Sequence, residues 1–428
     1  MPRQPMSVLD GWPIASAERN AEFGSPSTRT ELVIVTEDVF SLMDDWGPEK
    51  VVCVSDRRTG MRGVLVLDNT ALGTGKGGTR MSPTLSVREV ARLARTMTWK
   101  WAAVDLYHGG AKAGILGDPN AANKEEVLRA FARALVNEVP REYVFGLDMG
   151  LTERDAAILI DELGDRGAAV GLPSALGGVP YDELGVTGYG VAEATDAAVA
   201  AIGLDLAESR VVIQGFGAVG QAAAIRLKEL GANVVAISTA AGAVHDPDGL
   251  DIERLVALRR EFHDDCVREY GDVRPADYAL TVDTDILVPA AREDVIDDDV
   301  ALSTTAKLIV EGANLPTTPH AREVLHKRGV AVVPDFIANA GGIVAAAHSM
   351  GARYSAFTVD PADIFSMIST KLRANTVAVL EASRRAEVIP HEAARELAQG
   401  RVRRAMELRG QIPAQSRNSE EAHGIDRS

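Results

Sequence analysis

Cysteine is nearly absent: only Cys53 and Cys266 occur among 428 residues. They are too few for a disulfide framework and fit no metal-ligand spacing, so a reducing compartment is expected, with no metal and neither thiol catalytic. Basic charge is in deficit too. With 45 Lys+Arg against 61 Asp+Glu the formal net charge is -16, whereas a nucleic-acid partner calls for a basic face. Nucleic acid is therefore excluded, and the acidity reads as solubility. Long uncharged apolar runs are also missing, and the first residues, Met1 to Ala21, lack the apolar core and basic flank of a secretory leader. The expectation is a cytoplasmic protein with no membrane partner.

What the chain does have is apolar side chains, 46% of the whole, enough for two domains with a large core. Its chemistry gathers in Ser86–Asp118. Val90, Leu93, Ala94, Met97 and Trp101 recur at helical spacing behind a capping box of Ser86 and Glu89. Lys100 borders the apolar side of that helix, and Lys112 stands in Gly109–Gly114, read as a loop of small residues. A lysine beside apolar surface and near a second cation has its charged form disfavoured, which brings its pKa toward the range useful in acid-base chemistry. A lysine in a last helical turn can also serve only the macrodipole, which is the plainer reading of Lys100 alone. Lys112 has no packing role in a loop that buries nothing, so the pair is read as functional.

Around this stretch a helix is expected near Val39–Met43, strands over Lys50–Val54 and Met61–Leu67, and a helix over Lys124–Val136. Gly77 and Gly78 follow Lys76, which suggests backbone close to a ligand or a bulge, or else a bare flexible loop. A short strand, Tyr143–Gly146, ends near Asp148, a position that also suits a helix cap.

The Gly/Pro-rich passage 171–189 reads as a crossover into a second domain. A helix over Gly190–Ile202 precedes the buried strand Arg210–Gln214, the motif Gly215-Phe216-Gly217-Ala218-Val219-Gly220, a helix over Gln221–Leu230 and a strand over Asn233–Ser238. Alone, G-x-G-x-x-G is a weak signal. Strand, glycines, helix and strand together form the dinucleotide-binding context, with pyrophosphate at the helix N-terminus. One part is missing: the acidic residue that binds the adenosine ribose should end the second strand, and the sequence there is Ser238-Thr239-Ala240-Ala241. Without a carboxylate a 2′-phosphate is admissible, yet no nearby arginine or lysine attracts it, so the cofactor is NAD or NADP, undecided.

The motifs GKGGTR (Gly75–Arg80), MTWK (Met97–Lys100) and GGAKAGILGDP (Gly109–Pro119), with matches continuing through Asn339, resemble the core of the glutamate/leucine/phenylalanine/valine dehydrogenase family. The resemblance covers most of the chain. It implies an α/β fold of two domains, an N-terminal α/β substrate and oligomerisation domain and a Rossmann-type dinucleotide-binding domain, with C-terminal helices returning to the first. The expected divisions are an irregular arm over 1–30, the first domain over 31–185, the second over 186–345, C-terminal helices over 346–410 and a polar tail over 411–428. A homo-oligomer, hexameric or other, is implied as well.

By the same resemblance Lys112 and Asp148 are catalytic, and Lys76, Gly77, Lys100, Gly146, Ile343 and Ala346 bind substrate. Thr187, the six residues Gly215–Gly220, Thr239, Asn314 and Asn339 bind the dinucleotide, the two asparagines nearest the nicotinamide ribose; Thr239 stands where the family commonly has aspartate. The implied reaction is reversible oxidative deamination of an L-amino acid to a 2-oxo acid and ammonia. Lys100 would hold the α-carboxylate, Lys112 would activate water, and Asp148 would move protons to and from the amine. Substrate signals conflict. Lys76 matches the lysine with which glutamate enzymes pair the side-chain carboxylate, but Ala346 falls where they carry a serine contacting that group. The wording around Lys76 also resembles the leucine and phenylalanine enzymes. Glutamate is the favoured substrate; a branched-chain or aromatic amino acid, or a non-catalytic dinucleotide-sensing paralogue, is the alternative.

Overall fold

Alternating apolar side chains make Lys50–Asp56 (β1) and Met61–Asn69 (β2) an antiparallel pair, registered from Lys50 opposite Leu67 to Asp56 opposite Met61. A computed structural model describes residues 38–179 and 181–413. The segment expected as a helix near Val39–Met43 is a single 3₁₀ turn, Val39–Leu42. The arm over 1–30 and most of the tail lie outside the described residues.

Gly109–Gly114 is a strand, not a loop. Gly109–Leu116 (β5) lies in the middle of the first sheet, every residue from Gly109 to Ile115 buried. It pairs antiparallel with β2 and parallel with Gly75–Lys76 (β3) and Thr79–Ser82 (β4), while Tyr143–Val144 (β6) pairs with β3. The small residues reflect crowding from the helix Val87–Ala103, which crosses the sheet, and from Leu85 just ahead of it. A Cβ on Gly110 would sit 1.9 Å from Thr98 Oγ1, and one on Gly114 2.4 Å from the Leu85 side chain. Composition that suggests a loop here serves close helix-sheet packing. That helix starts as the sequence suggests, with Ser86 Oγ accepting from Glu89 N at 3.1 Å, but the Glu89 carboxylate turns to Arg80, 2.7 Å away.

The second sheet is ordered β12-β11-β10-β7-β8-β9. Its strands are Arg210–Gln214 (β7), Asn233–Thr239 (β8), Gly242–His245 (β9), Ile286–Pro289 (β10), Leu308–Val310 (β11) and Ala331–Val333 (β12). All pairings are parallel except β8 with β9, which closes one edge as a hairpin. From β7 the chain runs outward to β8, then returns to the other side of β7 as β10. The carboxyl ends of β7 and β10 therefore border a switch point, where parallel α/β sheets bind ligands. The architecture is two α/β domains, the second Rossmann-like.

Helices connect the two sheets. Glu193, in the helix Val186–Ile202, accepts from Ser369 at 2.6 Å and Arg373 at 3.0 Å, both in the helix Pro361–Ala386. The last helix, Pro390–Leu408, lies against the first sheet's crossing helix, where Arg401 Nη1 donates to the carbonyls of Ala102 at 2.6 Å and Ala103 at 2.8 Å. Those two carbonyls belong to the helix's last turn, so the arginine supplies donors the helix itself lacks. Among the described residues no helix is long and apolar enough to cross a membrane.

Candidate active site

Lys112 extends from β5, and Asp148 follows β6 at the same side of the sheet. Their charges meet at 2.6 Å, Lys112 Nζ to Asp148 Oδ2, with Lys112 buried and Asp148 partly open. Burial, with Arg80 and Lys100 nearby, pushes the Lys112 amine below its usual range, against the opposing pull of Asp148. Asp148 is destabilised by burial, but Lys112 and Arg80 outweigh it and hold its carboxyl below the ordinary carboxylate range. Arg80, for which the sequence reading named no role, donates Nε to Asp148 Oδ2 at 3.0 Å and pairs with Glu89. Its place inside the GKGGTR motif was the available clue. Gly78 lies under this pair: a Cβ there would come within 2.7 Å of Asp148 Cβ and 3.2 Å of Lys112 Nζ.

Lys76 is the most isolated charge of the site. It is 3% exposed, and its Nζ donates to the carbonyls of Phe145 at 2.9 Å and Val144 at 3.3 Å. Desolvation, then the cations Lys112 and Arg353, bring its pKa down to about 7. At about 1.4 kcal/mol per pKa unit, keeping this amine charged at the ordinary lysine pKa is disfavoured by roughly 5 kcal/mol. The backbone that carries it is fixed by Trp101 Nε1 donating to Lys76 O at 3.0 Å and Tyr143 Oη donating to Gly77 O at 2.9 Å. Gly77 and Gly146 are small because protein surrounds them: a Cβ on Gly77 would lie 1.7 Å from Ala111 O, and one on Gly146 2.4 Å from Lys76 Nζ. Lys76, Gly77, Lys112, Gly146, Ile343 and Ala346 line one cavity of about 260 Å³.

Lys100 stands apart from that lining. It borders a neighbouring cavity of about 530 Å³ with Asp335 and His391. Burial lowers its pKa, Asp335 opposing, and its charge still acts on Lys112. Behind it lies a buried network that sequence reasoning missed, because it joins three distant segments. Glu311 Oε2 accepts from Asp335 N and contacts His391 Nε2, both at 2.9 Å, and Asp335 Oδ2 accepts from Leu315 N at 2.9 Å. Among the described residues these three side chains form the group whose ligand atoms, within 4.8 Å of one another, could in principle hold a metal. The cations Lys100 and Arg322 act on the network, while Glu311 Oε1, Asp335 Oδ1 and His391 Nδ1 are buried without a hydrogen-bond partner. The network holds the turns that carry Asn314 and Asn339, which meet at 3.0 Å, Asn339 Nδ2 to Asn314 Oδ1.

The dinucleotide side has a different texture. The helix after β7 begins at Ala218, three residues before its expected start, with Gly217 as N-cap. Gly215 has φ +100°, and Gly220 is pressed within 1.9 Å, by its absent Cβ, of Gly215 O. Gly217 is the exception: nothing lies within 4 Å of where its Cβ would be. Space is thus kept open in front of a helix N-terminus, the cradle a pyrophosphate needs, and the residues fit NAD or NADP. Phe216 is buried, its N–H donating to Ser238 O at 2.6 Å. Val219 lies in the first turn of the helix, its carbonyl close to Gly188. Thr187 sits beside Gly342 at the start of the nearby helix Gly341–Ala352. Thr239 ends β8, and its hydroxyl donates to Asp264 O at 2.7 Å rather than facing out free.

Sequence comparison places these features among known proteins. The family profile for Glutamate/Leucine/Phenylalanine/Valine dehydrogenase matches residues 177–410, and that for Glu/Leu/Phe/Val dehydrogenase, dimerisation domain, matches 48–165. Glutamate dehydrogenase A2 of Halobacterium salinarum is 41% identical over 288 residues, 64% of this chain and 68% of the relative. NADP-specific glutamate dehydrogenase of Saccharolobus shibatae is 35% identical over 383 residues, 85% of this chain and 90% of the relative. The crystal structure of hetero-hexameric glutamate dehydrogenase from Thermus thermophilus, Leu bound form, superposes with a TM-score of 0.71 at 30% identity, covering 86% of this chain and 91% of that one. With both profiles matched in order and the paired lysine, aspartate and glycine cradle in place, the chain belongs to the glutamate/leucine/phenylalanine/valine dehydrogenase family.

Proposed function

We propose that the chain catalyses the reversible NAD(P)-dependent oxidative deamination of L-glutamate to 2-oxoglutarate and ammonia. The observation that carries the choice of glutamate is Lys76, a buried amine on the substrate cavity whose charged neighbours are cations. An apolar substrate leaves that amine without a counter-charge, whereas a side-chain carboxylate stabilises its charged form. Relatives that bear the glutamate dehydrogenase name support the same reading.

The dinucleotide, when bound, supplies the hydride acceptor. The chain's own groups then have separable tasks. Lys100 holds the α-carboxylate from the side of Asp335. Lys112, its amine made less costly to deprotonate by burial, takes a proton from the attacking water. Asp148, 2.6 Å away, passes protons to and from the amino group, with Arg80 fixing its orientation. Asn314 and Asn339 hold the nicotinamide ribose, and Gly215–Gly220 the pyrophosphate. Neither coenzyme is preferred by charge at Thr239. A homo-oligomer is part of this proposal; the hetero-hexameric assembly of the Thermus thermophilus relative supports oligomer formation as such.

The test follows reduced coenzyme with glutamate, leucine, valine, phenylalanine and tryptophan, each with NAD and with NADP. Glutamate is expected to lead, and Lys76→Leu to lower its kcat/KM by about two to three orders of magnitude. A lead for an apolar amino acid would overturn the assignment of glutamate. No turnover with any pair would favour the dinucleotide-sensing alternative.

A further inference from the structure

The Lys76 end of the cavity is short of hydrogen-bond donors for the ligand it is built to take. An ammonium carries three protons, and Lys76 already spends two of them on the carbonyls of Val144 and Phe145. One remains for a carboxylate that has two oxygens. Ala346, in the cavity wall, has no polar side-chain atom.

Arg353 lies seven positions beyond Ala346, two turns along the same helix, and so on the same face. It closes the helix Gly341–Ala352 as its C-cap and lines a small neighbouring cavity that shares Val170 and Gly171 with the substrate cavity. Its Nη1 donates to Met350 O at 2.5 Å, and its guanidinium lies 5.1 Å from the centre of the Tyr354 ring. Its Nε is buried with no partner. Among the described residues no carboxylate pairs with it. Its charge nevertheless reaches this end of the cavity, because burial, then Lys76, then Arg353 hold His108 down to about 4, and Arg353 also acts on Lys76. A guanidinium with its Nε unpaired therefore borders the adjoining cavity, and its charge acts on a buried amine with one proton to give.

We infer that Arg353 determines specificity: it shares with Lys76 the side-chain carboxylate of a bound dicarboxylic amino acid, supplying the donor that Ala346 lacks. The inference rests on the glutamate reading and adds to it a residue from the far end of the chain. A guanidinium matches a carboxylate with two parallel donors, which a lysine alone cannot do. It also narrows the substrate class to side chains with an anion at glutamate's reach, since shorter ones leave the fork unfilled.

The full chain with its coenzyme is compared with Arg353→Gln and Arg353→Lys on glutamate and on norvaline, which has glutamate's chain length without the distal carboxylate. Arg353→Gln is expected to raise the KM for glutamate by about 10- to 100-fold with little change in kcat, and to leave norvaline within about twofold. Arg353→Lys should recover part of the loss. Titration of glutarate into the coenzyme-bound enzyme gives a second readout, with weakening in the same order. Equal losses on both amino acids would make Arg353 merely structural and overturn the inference, as would an unchanged KM for glutamate. If the wild type prefers glutamate and Arg353→Gln matches it, the inference alone falls. If the wild type prefers norvaline, the glutamate reading falls with it.

Discussion

Two glycine-rich regions, one on each sheet, differ at a single position: Gly217 of the second borders open space, where the glycines of the first are all hemmed in by protein. On the substrate side each one is enforced by protein: Gly77 by the Ala111 carbonyl, Gly78 by Asp148, Gly110 by Thr98, Gly146 by Lys76. A side chain at any of them would displace backbone, the crossing helix, the Asp148 side chain or the Lys76 amine. On the dinucleotide side, Gly215 and Gly220 are likewise pressed against neighbours, but Gly217 borders open space. The first region is a packed scaffold that holds charges at fixed separations; the second reserves a volume. Glycine in a motif therefore says that something comes close, and only the structure tells whether that something is the protein or its ligand.

The largest expected effect separates the two regions outright. Lys112→Ala removes the amine paired with Asp148 and should lower kcat by about three orders of magnitude or more, while coenzyme affinity, measured by fluorescence titration, stays within about threefold. An active Lys112→Ala enzyme would break the assignment. Next comes a matched pair of substitutions. Gly77→Ala places a methyl 1.7 Å from a main-chain oxygen and should cost about 2–4 kcal/mol of stability, seen as a lowered Tm. Gly217→Ala meets nothing, so its Tm should shift little while coenzyme binding weakens about tenfold or more. Reversal of that pattern would mean the open space at Gly217 is not the coenzyme's.

Much of this was legible in the sequence, and the failures share a cause. The alternation β7, helix, β8 was readable because period and glycine spacing are local properties. Lys112 and Asp148 could be named from separate motifs, as could Asn314 and Asn339, though not the 2.6 Å and 3.0 Å that join each pair. Gly109–Gly114 was misread because small residues signal a loop when nothing is known of what lies above them, and here Thr98 of the crossing helix lies against Gly110 and the Leu85 and Val90 side chains against Gly114. Arg80, the Glu311–Asp335–His391 network and Arg353 carried no local signature, since their partners come from other parts of the chain.

The smallest effect tests the charge balance of the packed side directly. Lys76 has a folded pKa of about 7 against 10.5 for an ordinary lysine. Between those values the unfolded chain holds more protons than the folded one, so this residue's contribution to stability rises with pH across that window and is least favourable below it. A bound distal carboxylate favours the charged amine and reverses the local balance, so the complex keeps a proton that the free enzyme has shed. Binding of 2-oxoglutarate at about pH 8.5 should therefore take up close to one proton through Lys76, read by calorimetry in buffers of different ionisation heat. His108, held down to about 4, stays neutral and does not compete. A 2-oxo acid without the distal carboxylate provides the baseline for Lys100 and Lys112, whose pKa values are also lowered. The excess uptake with 2-oxoglutarate should vanish in Lys76→Met. Its persistence there would move the titrating group elsewhere in the cleft and leave Lys76 a packed amine rather than the reader of the substrate's side chain.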